Sequence, residues 1–109
     1  MRAYIVVDLG FGDAGKGLLT DFLARQYEAG VVVRYNGGAQ AGHNVVLADG
    51  RQHTFSQFGS GTFLPRVKTF LSRHVVVHPT ALHIEGNYLE RNGVADPYSR
   101  LRISEQALV

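Results

Sequence analysis

Apolar and polar positions alternate along this chain in blocks that predict its elements. Tyr4 to Leu9 is a short apolar run, the pattern of a strand buried on both faces. A glycine-rich stretch follows, and then Leu18, Leu19, Phe22, Leu23 and Tyr27 recur at helical spacing. Thr20, Asp21, Arg25 and Glu28 fall mostly on the other side, so the spacing predicts a helix over 16–28, stopped near Gly30. Val31 to Tyr35 reads as a second strand. Residues 4–35 thus have a β-loop-α-β order, for which parallel strands and a right-handed crossover are the default.

Further on, a second glycine-rich loop runs from Asn36 to Asn44. Asn44–Leu47 and Gln52–Phe55 form a predicted hairpin across Asp49-Gly50. Residues 56–65 read as irregular and Val75–His78 as another strand. Pro79 suits the first turn of a helix and Gly93 its end, with Leu82, Glu85 and Leu89 on one face and Gly86 as a weak point. Leu101-Arg102-Ile103 begins a further strand. The prediction is one α/β domain over 1–109 with a mostly parallel sheet, a phosphate-loop-like strand-loop-helix start and no internal boundary. Such a sheet still exposes an edge or a face. The apolar ending Ala107-Leu108-Val109 fits a partner covering it, or a piece of a larger fold.

Composition narrows the class. With 45% hydrophobic residues the chain is an ordinary globular one, and a formal charge of +2 with scattered Lys and Arg argues against a nucleic-acid surface. There is no cysteine, hence no disulfide or zinc-thiolate site. No apolar run approaches the ~20 residues that span a bilayer, and residues 1–8 form no signal peptide. The expectation is a soluble, cytoplasmic protein without membrane or nucleic-acid partners.

The chemistry concentrates at Gly10-Phe11-Gly12-Asp13-Ala14-Gly15-Lys16-Gly17. A glycine loop between strand and helix brings backbone N–H groups, a helix N-terminus and an ammonium onto one anion. Gly10-x-x-x-x-Gly15-Lys16 has the spacing of a Walker A loop, but Gly17 stands where Ser or Thr normally reaches Mg²⁺. Asp13 has two readings. It is a helix N-cap, or it is an ionised group beside the phosphate that serves as metal ligand or general base. His43, after Gly42 in the second loop, is a surface residue or a donor to a phosphoryl oxygen. His53, His74, His78 and His83 show no metal-ligand spacing and read as structural or exposed. Gln57–Thr62 is a third ligand loop or a plain connector.

Gly12-Asp13-Ala14-Gly15-Lys16-Gly17 followed by Arg34-Tyr35-Asn36-Gly37-Gly38-Ala39-Gln40-Ala41-Gly42-His43 resembles the N-terminal part of the adenylosuccinate synthetase family. Gly59-Ser60-Gly61 and Val75-Val76-Val77-His78-Pro79-Thr80-Ala81-Leu82 resemble that family's next segment. The resemblance covers nearly all of this chain but only the start of a much longer enzyme. It implies a GTP-dependent ligase that condenses IMP with aspartate through 6-phosphoryl-IMP, with Mg²⁺ and as a homodimer. Asp13 would accept the N1 proton of IMP, and His43 would donate to the transferring phosphoryl group. Asp13 and the Gly42 carbonyl would ligate the metal. Gly12, Asp13, Ala14, Gly15, Lys16, Gly17, Leu18, Gly42 and Asn44 would lie along the GTP phosphates. Asp13, Ala14, Gly15, Lys16, Gln40, Ala41, Gly42 and His43 would face IMP.

Ala14, Gln40 and Asn44 depart from the family's usual Glu, Asn and Thr, and Phe11 from its Trp, which marks a divergent branch. Phage relatives acting on dGMP share the Phe-Gly opening but usually carry a small residue in place of the aspartate, so Asp13 favours IMP. Guanine and aspartate recognition lie beyond the matched region, so the 109-residue piece is expected to be inactive alone. Two other classes compete. One is a phosphate-binding module without turnover. The other, a P-loop kinase or GTPase, is disfavoured by Gly17 and by the lack of a Walker B carboxylate.

Overall fold

The computed structural model describes residues 1–12, 14–39 and 42–109. It shows a mixed α/β fold. Helix α1 (Lys16–Gln26) precedes strand β1 (Val31–Arg34), the hairpin β2 (His43–Val46) and β3 (Gln52–Phe55), and β4 (Lys68–Leu71). Helix α2 (Pro79–Arg91), a 3₁₀ turn (Pro97–Arg100) and β5 (Leu101–Ile103) complete it. The parallel sheet has the order β1-β4-β5, with Val31 opposite Lys68 and Thr69 opposite Leu101. The antiparallel hairpin stands apart from it, His43 opposite Phe55 and Val46 opposite Gln52. Among the described residues no helix is long and apolar enough to cross a membrane.

Burial explains the arrangement. Val32, Arg34, Thr69 and Leu71 point into the protein, while Val31, Val33 and Phe70 on the opposite sheet face are exposed. A parallel sheet is ordinarily covered on both faces, so this one is open, as its strand pattern predicts. The Val32 side packs on Ala24 of α1 and on Val67. A second cluster, Val45, Phe55, Phe58, Phe63, Leu89 and Val94, joins the hairpin to α2.

Four local expectations are corrected. The apolar run 4–9 belongs to no strand of either sheet. It lies across a cavity from β1, and Ile5, Val7 and Leu9 are exposed, because no strand among the described residues flanks it. The buried face of α1 is Gly17, Asp21 and Ala24, while Leu18, Leu19, Phe22 and Tyr27 face outward. Asp21 is tolerated inside because Arg25 Nε donates to it at 2.7 Å. The helix ends before Gly30, through Glu28 in the left-handed region (φ 52°). Val75 and Val76 make only isolated bridges, to Gly37 and Leu108, and the true central strand is β4.

Residues 56–65 contain no strand or helix, yet much of this segment is interior. Gln57, Ser60 and Thr62 are buried, and the segment is held by side chains. Glu85 of α2 accepts from the N–H groups of Ser56 (3.1 Å) and Gln57 (2.7 Å), from Ser56 Oγ (3.0 Å), and pairs with His53 Nε2 (3.0 Å). Arg100 donates to the carbonyls of Leu64 and Val67, both at 2.8 Å. The segment is a structural core loop rather than a flexible connector, and its Ser60 lines the cavity beside β1. His78 caps α2 by accepting from the Ala81 N–H at 3.2 Å. Gly86, the weak point of α2, is explained by Tyr98. A Cβ at Gly86 would sit 2.2 Å from the Tyr98 ring and hydroxyl. That hydroxyl donates to the His83 carbonyl at 2.9 Å.

Candidate functional site

The first loop reaches its helix through Gly12 (φ 95°) and Gly15 (φ 85°), backbone geometry that side-chain-bearing residues rarely adopt. Gly15 is the N-cap of α1. Among the described residues no side chain caps that helix, and no acidic residue occupies its first turn. Its N-terminal N–H groups therefore keep the partial positive charge that attracts anions. Lys16 stands at that point. Its ammonium is paired with Asp8 Oδ2 at 2.7 Å, and Asp8 Oδ1 accepts from the Gly10 N–H at 2.9 Å. The Lys16 hydrogen bond, then that of Gly10, holds the Asp8 carboxyl below the usual aspartate range.

The second loop arrives at the same place. Gly17 lies so close to His43 that a Cβ there would fall 2.5 Å from the His43 Cβ and 3.0 Å from its Cα. The glycine standing where a Walker A loop has Ser or Thr thus has a steric reason: the backbone of β2 occupies the space. Lys16, Gly17, Arg34, Asn36 and His43 line one cavity of about 650 Å³, whose far wall includes residues 2–6. Arg34 is buried and donates to the Ser56 carbonyl. Burial lowers its pKa, opposed by Glu85. His43 is pushed below its ordinary 6.5, first by burial, then by Arg34, then by Lys16. Three cationic side chains, Arg2, Lys16 and Arg34, and the His43 imidazole around one concavity form a cradle for a polyanion, and an anion there would favour protonation of His43.

The expected site residues are distributed as follows. Lys16, Gly17 and His43 converge on this cavity. Gly12, Ala14, Gly15 and Gly42 are exposed in the two loops. Leu18 is exposed on α1. Asn44 faces another cavity, beside His53, Ser56 and Glu85, and accepts from Thr54 Oγ1 at 3.3 Å. Asp13, Gln40 and Ala41 lie outside the described residues. Among the described residues no group of three or more His, Cys, Asp or Glu gathers as a metal cage. Mg²⁺ beside phosphates needs only one or two protein oxygens, and a carboxylate at 13 with a carbonyl at 42 is a donor set of that kind. Arg34 and Asp8 are not among the residues that the motif reading assigns to the site. Arg34 does open the second motif, whereas Asp8 signals only as a lone acid two residues before the loop.

Comparison with known proteins follows the same lines. Residues 5–109 match the family model described as adenylosuccinate synthetase. The chain is 40% identical over 109 residues to an adenylosuccinate synthetase of Streptococcus sanguinis and 41% identical to one of Lactococcus lactis subsp. cremoris. It covers 24% of the length of each, against 100% of itself. The structure of a fully ligated adenylosuccinate synthetase from Plasmodium falciparum superposes with a TM-score of 0.74 at 28% identity. That match covers 88% of this chain and 21% of that one.

Proposed function

This chain belongs to the adenylosuccinate synthetase family, and from that premise we propose that it supplies the phosphate-handling centre of a GTP-dependent purine-nucleotide ligase. The reaction would be the condensation of IMP with aspartate through 6-phosphoryl-IMP. The observation that supports this most is the convergence of Lys16, Arg34 and His43 on one cavity at the start of α1. Residues 12–17 would hold the GTP phosphates by backbone N–H groups and Lys16. Asp13 would take the N1 proton of IMP, which raises the nucleophilicity of O6. His43 would donate to the phosphoryl group as negative charge builds on it. Gln40, Ala41 and Gly42 would face IMP. Asp13 and the Gly42 carbonyl would hold Mg²⁺, which supplies charge neutralisation on the phosphates.

The chain spans about a quarter of the relatives' length, so the guanine and aspartate sites would come from elsewhere. A homodimer would be the working assembly, and the compartment the cytoplasm. Calorimetric titration with GTP and with IMP tests the reading. Binding that is lost in Lys16→Met supports it, and binding indifferent to Lys16 overturns it. An assay of adenylosuccinate formation from GTP, IMP and aspartate is expected to show little turnover by these 109 residues alone.

A further inference from the structure

Lys16 is the cation best placed to meet a phosphate at the start of α1, yet its ammonium already has a partner. Asp8 Oδ2 accepts from it at 2.7 Å, within normal charge-assisted hydrogen-bond length. Asp8 is itself fixed, because its other oxygen accepts from the Gly10 N–H at 2.9 Å. The carboxylate therefore presents one bound oxygen to the loop backbone and one to the lysine. That is the contact pattern a phosphate oxygen pair would make with the same groups. Asp8 is only partly exposed, and its partner Lys16 lines the cavity that also receives Arg34 and His43. We propose that Asp8 is a built-in counter-ion, which holds the Lys16 ammonium in place until an incoming phosphate displaces it. Anion binding at this loop is then an exchange of carboxylate for phosphate on Lys16. The site stays electrostatically compensated when empty and binds polyphosphate more weakly than the lysine alone would allow. The inference rests on the phosphate reading of the loop.

Two variants separate the parts. Asp8→Asn keeps a side-chain oxygen for the Gly10 N–H and removes the charge that competes for Lys16. Lys16→Met removes the cation. Inorganic tripolyphosphate is titrated into the full chain by calorimetry, with the urea midpoint recorded for each variant. Asp8→Asn is expected to bind about two- to fivefold tighter than the parent, the range an exposed ion pair commands. Its urea midpoint should not rise, whereas damage to the loop would lower affinity and midpoint together. Lys16→Met is expected to lose most binding. Parent binding that depends on Lys16, with Asp8→Asn unchanged or weaker, overturns the counter-ion role and leaves the phosphate reading standing. Binding that is absent, or indifferent to Lys16, overturns both.

Discussion

Replacing Gly17 by alanine tests whether the two loops are coupled by contact. The added Cβ would stand 2.5 Å from the His43 Cβ and 3.0 and 3.2 Å from its Cα and carbonyl carbon. Two of those atoms are backbone, so no rotamer change relieves the clash. Ordinary contact begins near 3.4 Å, so α1 and β2 must separate by about 0.9 Å. Overpacking of this kind costs about 1–3 kcal/mol. Alanine in place of glycine recovers at most about 1 kcal/mol of helix propensity, and less in a first turn. The expected net result is destabilisation of up to about 3 kcal/mol. The separation also moves His43 away from Lys16, so tripolyphosphate affinity should fall about tenfold if His43 and Lys16 act on one anion. Gly30→Ala is the control, since nothing lies within 4 Å of a Cβ there. Urea unfolding followed by circular dichroism, with calorimetric titration, reads both quantities. If Gly17→Ala matches Gly30→Ala in midpoint and binds tripolyphosphate as the parent does, the two loops are not sterically coupled.

Three further outcomes follow from the same geometry. Glu85→Ala leaves the Ser56 and Gln57 N–H groups and His53 without their acceptor. It should cost about 3–5 kcal/mol, as loss of one member of a buried charged network does, and Glu85→Gln less; a shift in urea midpoint worth under about 1 kcal/mol would remove Glu85 from this role. His43 has a folded pKa below its ordinary 6.5, so its contribution to stability is present above that value and is lost as pH falls through the folded pKa. Urea midpoints should therefore start to drop as pH falls to the ordinary 6.5 and keep dropping to the lower folded value, and His43→Gln should flatten that slope. In a form of the protein that turns over, Asp13→Asn should slow adenylosuccinate formation by ~10²–10⁴ while tripolyphosphate binding persists; an unchanged rate takes the proton-acceptor role from Asp13.

The parts of the fold that were legible carry local, self-contained signals. Asp49-Gly50 fixes the hairpin because Gly50 takes the positive φ (90°) that the turn requires. Pro79 and Gly93 bracket α2 for equally local reasons. The illegible parts depend on distant neighbours. Lys68-Thr69-Phe70-Leu71 looks too polar for a central strand, but Thr69 is buried because its hydroxyl receives the Gly59 N–H at 3.1 Å. The apolar stripe of α1 points outward, and small Gly17 and Ala24 turn inward, because close approach to His43 and Val32 decides that helix's rotation. At the site, glycines and Lys16 announce themselves by spacing. Asp8 does not, and Arg34 shows only as the first residue of the second motif, since their roles arise where loop, strand and helix meet.

The contact of Gly86 with Tyr98 restricts the order in which this protein's descendants can change. Alanine at 86 alone meets the phenol at 2.2 Å, so the Tyr98 ring must shift and give up its hydrogen bond to the His83 carbonyl. Tyr98 also packs edge-on against Phe58 at 5.9 Å, so shrinking it first uncovers one side of the Phe58 cluster. Tyr98 is only partly buried, so losing its ring costs less than the about 3–5 kcal/mol of a fully buried one, and the later gain from alanine in the helix returns at most about 1 kcal/mol. Each single step costs stability, because it disturbs either the Tyr98 hydroxyl's bond to His83 or its packing on Phe58. The pair is therefore a locked inheritance: a lineage that loses the glycine must rebuild the surroundings of Phe58 and His83 along with it.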